Sequence, residues 1–333
     1  MFVNCPVIIT YTLLAKLTVK LFAKLVLGVS KKSEDIQVKR VPTFTMSSCA
    51  KAGTMMPVHF APETLNAPVP FEIEEVVFTK SATESLNLVS YAIGNALPGN
   101  RFHLKAGDSI VVTEMEHHAN LIPWQQLAAR SGAKLKWLTI SSEGRLDLSS
   151  LDSIIDTTTK IVALTHQSNV LGTINPLDLI TKRAHEVGAV VVLDACQSAP
   201  HMKVDVKELD IDFLAFSGHK ALGPTGVGIF WGRAELLAEL PPFLTGGSMI
   251  ENVTMESATW APAPRKFEAG VPNMAGAVGL ASAVKYLKGI GLDSIKEHCE
   301  DISRYALERL QSVPSLKIFG PKEPENRGPV FSF

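Results

Sequence analysis

From Val76 to Trp231 the chain alternates short, mostly apolar runs with amphipathic stretches, and this alternation restricts its fold more than any other feature. The runs are Val76 to Thr79, Ser109 to Thr113, Lys134 to Ile140, Ile161 to Leu164, Ala189 to Leu193, Phe213 to Phe216 and Val227 to Trp231. Continuous apolar runs of this length read as strands buried on both faces, which need crossover helices between them. Helices are expected from Glu84 to about Ala96, from the Asn120 region through Ala129, from Leu151 to Ile155 and from Pro176 to Val187. A proline suits the first turn of the last of these. The expected architecture is α/β: three layers, with a mainly parallel central sheet and helices on both faces.

Ligands of such sheets gather beyond the carboxyl ends of the strands. The polar residues that follow the runs are Thr83, His117, Asn169, Asp194, Gln197, Ser217, His219 and Lys220. The stretch Ile211 to Gly228, IDFLAFSGHKALGPTGVG, places Lys220 straight after an apolar strand. Desolvation disfavours a charged amine, and a neutral amine can attack an aldehyde to form a Schiff base. Thr83 stands at a helix N-terminus, where free N–H groups favour a phosphate, and Ser217 and His219 can complete that cup. Asp194 ends a buried run and needs a cationic partner to stay ionised, which a protonated pyridine nitrogen supplies. His117 offers a flat ring for stacking, and Gln197 and Asn169 are neutral donors. Lysine, aspartate and an anion cup at one sheet edge are the components of a pyridoxal phosphate site. Taken singly, Thr83 and Asp194 also read as plain caps, and Lys220 as a surface lysine after a strand.

Other chemistries are excluded by what the chain carries. The net charge of −1 gives no field for nucleic acid or an anionic membrane surface. Cys5, Cys49, Cys196 and Cys299 form no CxxC pair and no metal-ligand spacing, which points to a reducing, cytoplasmic setting without a metal. EMEHH is not HExxH, GHKALGPTG has its lysine in the wrong order for a phosphate-binding NTPase loop, and no GxSxG turn is present. His118, His166 and His201 read as polar or packing histidines. Residues 1–63 differ from the rest. Val7 to Val29 is largely apolar, yet Lys16, Lys20 and Lys24 fall on one helical face, which argues against a stable membrane span and for an amphipathic helix. Residues 30–63 lack periodicity and read as poorly ordered.

The segments EEVVFTKSATESLNLV, TEMEHHANLIPWQ, THQSNVLGT, VVLDACQSAPHMKVDV, FSGHKALGPTGVGI, LTGGSMI and KFEAGVPN together resemble the cysteine desulfurases. They are most similar to the SUF-type branch of the class V aminotransferase-like family, which has fold type I. The resemblance runs from about residue 64 to 333. It implies a pyridoxal phosphate-binding large domain over 64–295 and the start of an incomplete small domain over 296–333. It implies that Lys220 is the Schiff-base lysine and that His117 stacks on the cofactor. Asp194 matches the pyridine-nitrogen partner, Gln197 the donor to the phenolic oxygen, Thr83, Ser217 and His219 the phosphate ligands, and Asn169 the substrate-side asparagine. It implies a homodimer that takes sulfur from L-cysteine, leaves alanine, and hands a persulfide to an acceptor protein for iron–sulfur cluster assembly.

The resemblance also marks departures. The family's catalytic cysteine and the arginine for the substrate carboxylate lie beyond the EAG-PN segment, where this chain holds only Cys299, in a helical run, before ending at Phe333 as a strand (Gly328 to Phe333) is expected to begin. Val271 stands where the family places a threonine, which removes a hydrogen bond to the partner's phosphate of about 1–3 kcal/mol. The expectation is therefore a desulfurase-like protein with impaired sulfur transfer. Two alternatives stay open: a lyase of the same family acting on selenocysteine or cysteine sulfinate, and a non-catalytic cofactor-binding or scaffold product.

Overall fold

A computed structural model describes residues 73–333. The lysine-striped helix expected around Val7 to Val29 and the poorly ordered stretch expected after it lie outside the described residues. Seven strands form one sheet: β1 (Val76–Thr79), β2 (Ser109–Thr113), β3 (Lys134–Leu138), β4 (Thr159–Thr165), β5 (Val190–Asp194), β6 (Phe213–Ser217) and β7 (Gly228–Gly232). Their spatial order is β1-β7-β6-β5-β4-β2-β3. The pairs from β6 through β5, β4 and β2 to β3 are all parallel. β7 runs antiparallel to both neighbours, β1 and β6, so the six other strands share one direction. A parallel sheet was expected from the apolar runs; the reversal of β7 was not.

The helices are α1 (Ala82–Gly94), α2 (Ile122–Ser131), α3 (Leu151–Ile154), α4 (Leu177–Glu186), α5 (Ala234–Glu239), α6 (Met274–Ile290) and α7 (Leu292–Gln311). The β2-to-β3 connection through α2 moves outward along the sheet, whereas β4-to-β5 through α4 moves back the other way. Right-handed crossovers then put α2 and α4 on opposite faces. The packing agrees, because α1 lies on α2, and α3 meets α4. Between the layers the core holds Phe213 stacked on Phe230, with centroids 5.6 Å apart, beside buried Trp231 and Leu214. Each such side chain stabilises the fold by about 1.5–3 kcal/mol.

Local boundaries follow local chemistry. Ser81 caps α1, and Glu84 reaches back to the Lys80 N–H, so the helix begins two residues before its expected start. Pro176 is the residue before α4 rather than its first turn, with ψ at 89° outside the helical range. The expected strand Gly328 to Phe333 does not form as a ladder. Pro329 lacks an N–H, and the segment is held by single bridges, Thr173 to Arg327 and Phe319 to Ser332. It rests on the 166–175 hairpin through Gly328 N–H to Gly172 O at 2.8 Å. A smaller hairpin, β8 (Ile250–Val253) with β9 (Ala258–Trp260), stands apart from the main sheet and is largely exposed.

Candidate active site

Because β1, β2, β4, β5 and β6 run the same way, their carboxyl ends bring Thr83, His117, Asn169, Asp194 and Lys220 to one edge of the sheet. At one side of that edge β1 turns into α1. Gly228 starts β7 in register with both Thr79 and Ser217. It has no side chain for a steric reason: a Cβ there would sit 2.6 Å from Ser81 Cα. That close approach sets the N-terminus of α1 against the end of β6. Ser217 Oγ accepts the Ala82 N–H at 3.0 Å, which joins the two elements. Thr83 and His219 are exposed beside this junction, while Ser217 is buried. An anion placed here meets the helix N-terminus and hydroxyl and imidazole donors.

Lys220 follows in a 3-10 turn, Gly218–Ala221, against which α6 packs. Gly218 and Gly223 keep that turn tight, since a Cβ on either would press on Leu280 of α6 and on backbone oxygens. Lys220 is half-buried and makes no ion pair among the described residues. Asp194, the last residue of β5, is 4% exposed and likewise has no cationic partner among them. Its Oδ1 accepts the Cys196 N–H at 2.9 Å. Cys196 reports how near the two groups lie. Burial pushes its thiol up, the Asp194 charge pushes it further, and the Lys220 charge opposes both. The Cys196 Sγ also lies 3.8 Å from Ser217 Oγ. Asp194 and Ser217 thus both contact Cys196, and the Lys220 charge lies within electrostatic reach of its thiol.

His117 stands just beyond β2, exposed, as the cap of a short 3-10 turn. Its Nδ1 accepts the Ala119 N–H at 3.1 Å, which leaves the proton of the neutral ring on Nε2. The preceding Glu116 is a residue that the sequence pattern does not single out. Its carboxylate is enclosed by Thr113, Asn120 and the end of β4. No periodicity signals that. A glutamate among polar residues after a strand reads as exposed.

Asn169 is half-buried in the hairpin that follows β4, and Gln197 is half-buried in the turn after β5, its carbonyl accepting from His201 Nδ1 at 2.7 Å. His118 is exposed and His201 half-buried. His166 is buried, and burial lowers its imidazole to about 4. Val271 is 82% exposed. Of the two thiols among the described residues, Cys196 is buried, and Cys299 on α7 is also raised, first by burial and then by Glu300. No cluster of three or more metal-ligating side chains occurs among the described residues. No helix there is long and apolar enough to cross a membrane. A cavity of about 310 Å³ between Arg145, Thr173, Asn175 and Asn326 includes none of the residues expected from sequence.

Known proteins are similar to this chain in sequence and fold. The chain is 53% identical over 271 residues to a probable cysteine desulfurase of Streptomyces coelicolor, covering 81% of this chain and 64% of that protein. It is 47% identical to a cysteine desulfurase of Haloferax volcanii, covering 78% of this chain and 59% of that one. Among solved structures it resembles an Escherichia coli cysteine desulfurase in its S-sulfonic acid form, with a TM-score of 0.71, 37% identity, and coverage of 76% of this chain and 62% of that one. It also resembles the apo cysteine desulfurase of Thermococcus onnurineus, with a TM-score of 0.71, 41% identity, and coverage of 79% and 64%. The chain thus spans about 60% of the length of these relatives. Residues 63–333 match the aminotransferase class-V family, and the chain belongs to that family.

Proposed function

We propose that this chain binds pyridoxal 5′-phosphate at the edge formed by β1, β5 and β6 and acts on L-cysteine as a cysteine desulfurase. The observation that carries the reading is Asp194. A carboxylate 4% exposed and without a cationic partner among the described residues calls for one, and the Lys220 charge lies within electrostatic reach of the same thiol. The donor set fits the cofactor: a cation-seeking acid, a lysine without an ion pair, and a helix N-terminus with a hydroxyl. Lys220 would hold the aldehyde carbon through Nζ. Asp194 would keep the ring nitrogen protonated, His117 would cover the ring, and Gln197 would donate to the phenolic oxygen. Thr83, Ser217 and His219 would hold the phosphate, and Asn169 would face the substrate.

Bound there, pyridoxal phosphate supplies an electron sink for charge developing at the substrate α-carbon. The chain's part is to hold the ring cationic through Asp194 and to take the α-proton on Lys220 Nζ. Sulfur leaves to a thiolate. Burial raises both described thiols, Cys196 in the turn after β5 and Cys299 on α7, so an added dithiol is the expected sulfur acceptor. The proposed setting is cytoplasmic, as a homodimer that passes sulfur to an acceptor protein of iron–sulfur assembly, with a large domain over 64–295 and a small domain beginning at 296. The same thiol observation favours a second reading, a lyase acting on selenocysteine or cysteine sulfinate, which depends less on an enzyme thiolate.

The test is to load the purified chain with pyridoxal phosphate and follow its visible absorbance. The band should form in wild type and vanish in Lys220→Ala. With an added dithiol, which supplies the attacking thiolate and the two electrons that reduce the transferred sulfur, L-cysteine should then yield alanine and sulfide. Alanine from cysteine sulfinate without sulfide from cysteine would favour the second reading, and no band in wild type would sink both.

A further inference from the structure

Glu116 accepts three hydrogen bonds from three different elements. Thr113 Oγ1 at the end of β2 donates to Oε1 at 2.6 Å, the Thr165 N–H at the end of β4 donates to the same oxygen at 2.9 Å, and Asn120 Nδ2 donates to Oε2 at 2.6 Å. Two of these donors cannot turn. The Thr165 N–H is fixed by the strand, and Asn120 is fixed because its Oδ1 accepts from buried Trp124 Nε1 at 2.9 Å. The carboxylate has no ion-pair partner among the described residues, and it sits immediately before His117. Thr165 pairs in register with Asp194, so the strand residue that donates to Glu116 is also the β-partner of Asp194. Burial pushes the Glu116 carboxyl up to about 8, the three donors oppose that rise, and the Asp194 charge adds to it.

We propose that Glu116 is a positioning residue of the cofactor site: its three hydrogen bonds tie the turn that carries His117 to the ends of β2 and β4, which fixes where the His117 ring stands at the sheet edge. This rests on the pyridoxal phosphate reading above. The other ionisable groups around it are Asp194 and Cys196 after β5, Lys220 beyond them, His166 at the end of β4, which burial keeps neutral, and His117 on its own turn.

Two variants test the clamp. Glu116→Gln keeps the length, but its amide must turn an N–H toward one of the two fixed donors, so one of them loses its acceptor whichever way it lies. Glu116→Asp is one methylene too short to span Asn120 and Thr165. Pyridoxal phosphate titrations should show both weakened by roughly tenfold, the effect of losing one buried hydrogen bond. The visible band of the bound cofactor should also shift in wavelength in both, because the His117 ring no longer stands where the clamp holds it. Thermal melts of the cofactor-free variants identify any that fail to fold; if Glu116→Gln does not fold, Glu116→Asp carries the test alone. Folded variants that bind within twofold of wild type would overturn the proposal while leaving the cofactor reading intact. Weakened binding with an unshifted band would also overturn it, because a general loss of stability accounts for that result without His117. A wild type without a band would remove both, and that result is distinct because it appears before any variant is compared.

Discussion

The Cys196 backbone N–H donates to Asp194 Oδ1 at 2.9 Å, so the carboxylate is held by its own turn rather than by a cation. That contact survives Asp194→Asn, because the amide oxygen still accepts. What the substitution removes is a buried, uncompensated charge. The cofactor-free Asp194→Asn chain should therefore melt at or above the wild-type temperature. The stabilisation gained on adding pyridoxal phosphate should shrink by about 3–5 kcal/mol, the cost of breaking a buried ion pair on one side. Melting curves with and without cofactor check both halves. A wild-type cofactor response in the variant would mean that Asp194 does not face the ring.

Gly228 couples the fold to the same site from the other end. A Cβ would lie 2.6 to 2.9 Å from the Ser81 backbone, and backbone cannot swing aside as a side chain can. Gly228→Ala should push α1 away from β6 and lengthen the Ala82 N–H to Ser217 Oγ contact, now 3.0 Å. Overpacking of this kind costs about 1–3 kcal/mol. Denaturant titration should show that loss, and phosphate or pyridoxal phosphate affinity should fall with it. Affinity unchanged in a folded variant would separate the helix N-terminus from anion binding.

The chain announced its strands and its strand-end chemistry more fully than its spatial order. β1 and β2 appear at the residues where their apolar runs begin and end, since burial on both faces leaves no polar position to blur them. Asp194 and Lys220 were visible as polar groups closing such runs. The antiparallel course of β7 was not visible, because Gly228 to Gly232 is as apolar as its parallel neighbours and its direction depends on the short Leu222–Val227 turn. Glu116 was hidden for the opposite reason. Its carboxylate is enclosed by Thr113, Asn120 and Thr165; the first two are close in sequence, but only the fold brings Thr165, 49 residues on, against it. The β8–β9 hairpin carries too little apolar alternation to read as strands.

Two histidines should pull the pH dependence of stability in opposite directions. Burial holds His166 at about 4, below an unfolded imidazole near 6.5, and its Nδ1 has no partner among the described residues. Between those values the unfolded chain binds the extra proton, so stability falls as pH falls through that window, by about 3 kcal/mol in all. His185 behaves oppositely. Its Nε2 meets Asp212 at 2.8 Å and its Nδ1 meets Asp210 at 2.9 Å, in a network that Arg233 completes through both aspartates. The Asp212 hydrogen bond raises its pKa, against burial. Its contribution is full below the unfolded value near 6.5 and is lost as pH rises through the higher folded value. Urea midpoints across pH should show a shallower acid limb in His166→Leu. In His185→Gln the penalty should be present at pH 6 and fade at higher pH. A penalty independent of pH would count against the ion-pair reading of His185.

Lys266 offers a test on the alkaline side. It is buried, its Nζ donates to Ala238 O at 2.8 Å near the end of α5, and the ammonium lies 5.1 Å from the centre of the Phe267 ring. No carboxylate pairs with it among the described residues, and burial lowers its pKa to about 8. An unfolded lysine titrates near 10.4, so between these values the unfolded chain holds the extra proton. Stability contributed by this group should therefore rise with pH from about 8 to 10.4, by about 3 kcal/mol. Lys266→Met keeps the length and the contact with Phe267 while removing the charge. At pH 7 the variant should be at least as stable as wild type, because one hydrogen bond of about 1 kcal/mol is lost but a buried cation is removed. Above pH 8 the wild type should gain on the variant. Parallel curves across that range would show that Lys266 reaches solvent in the folded chain.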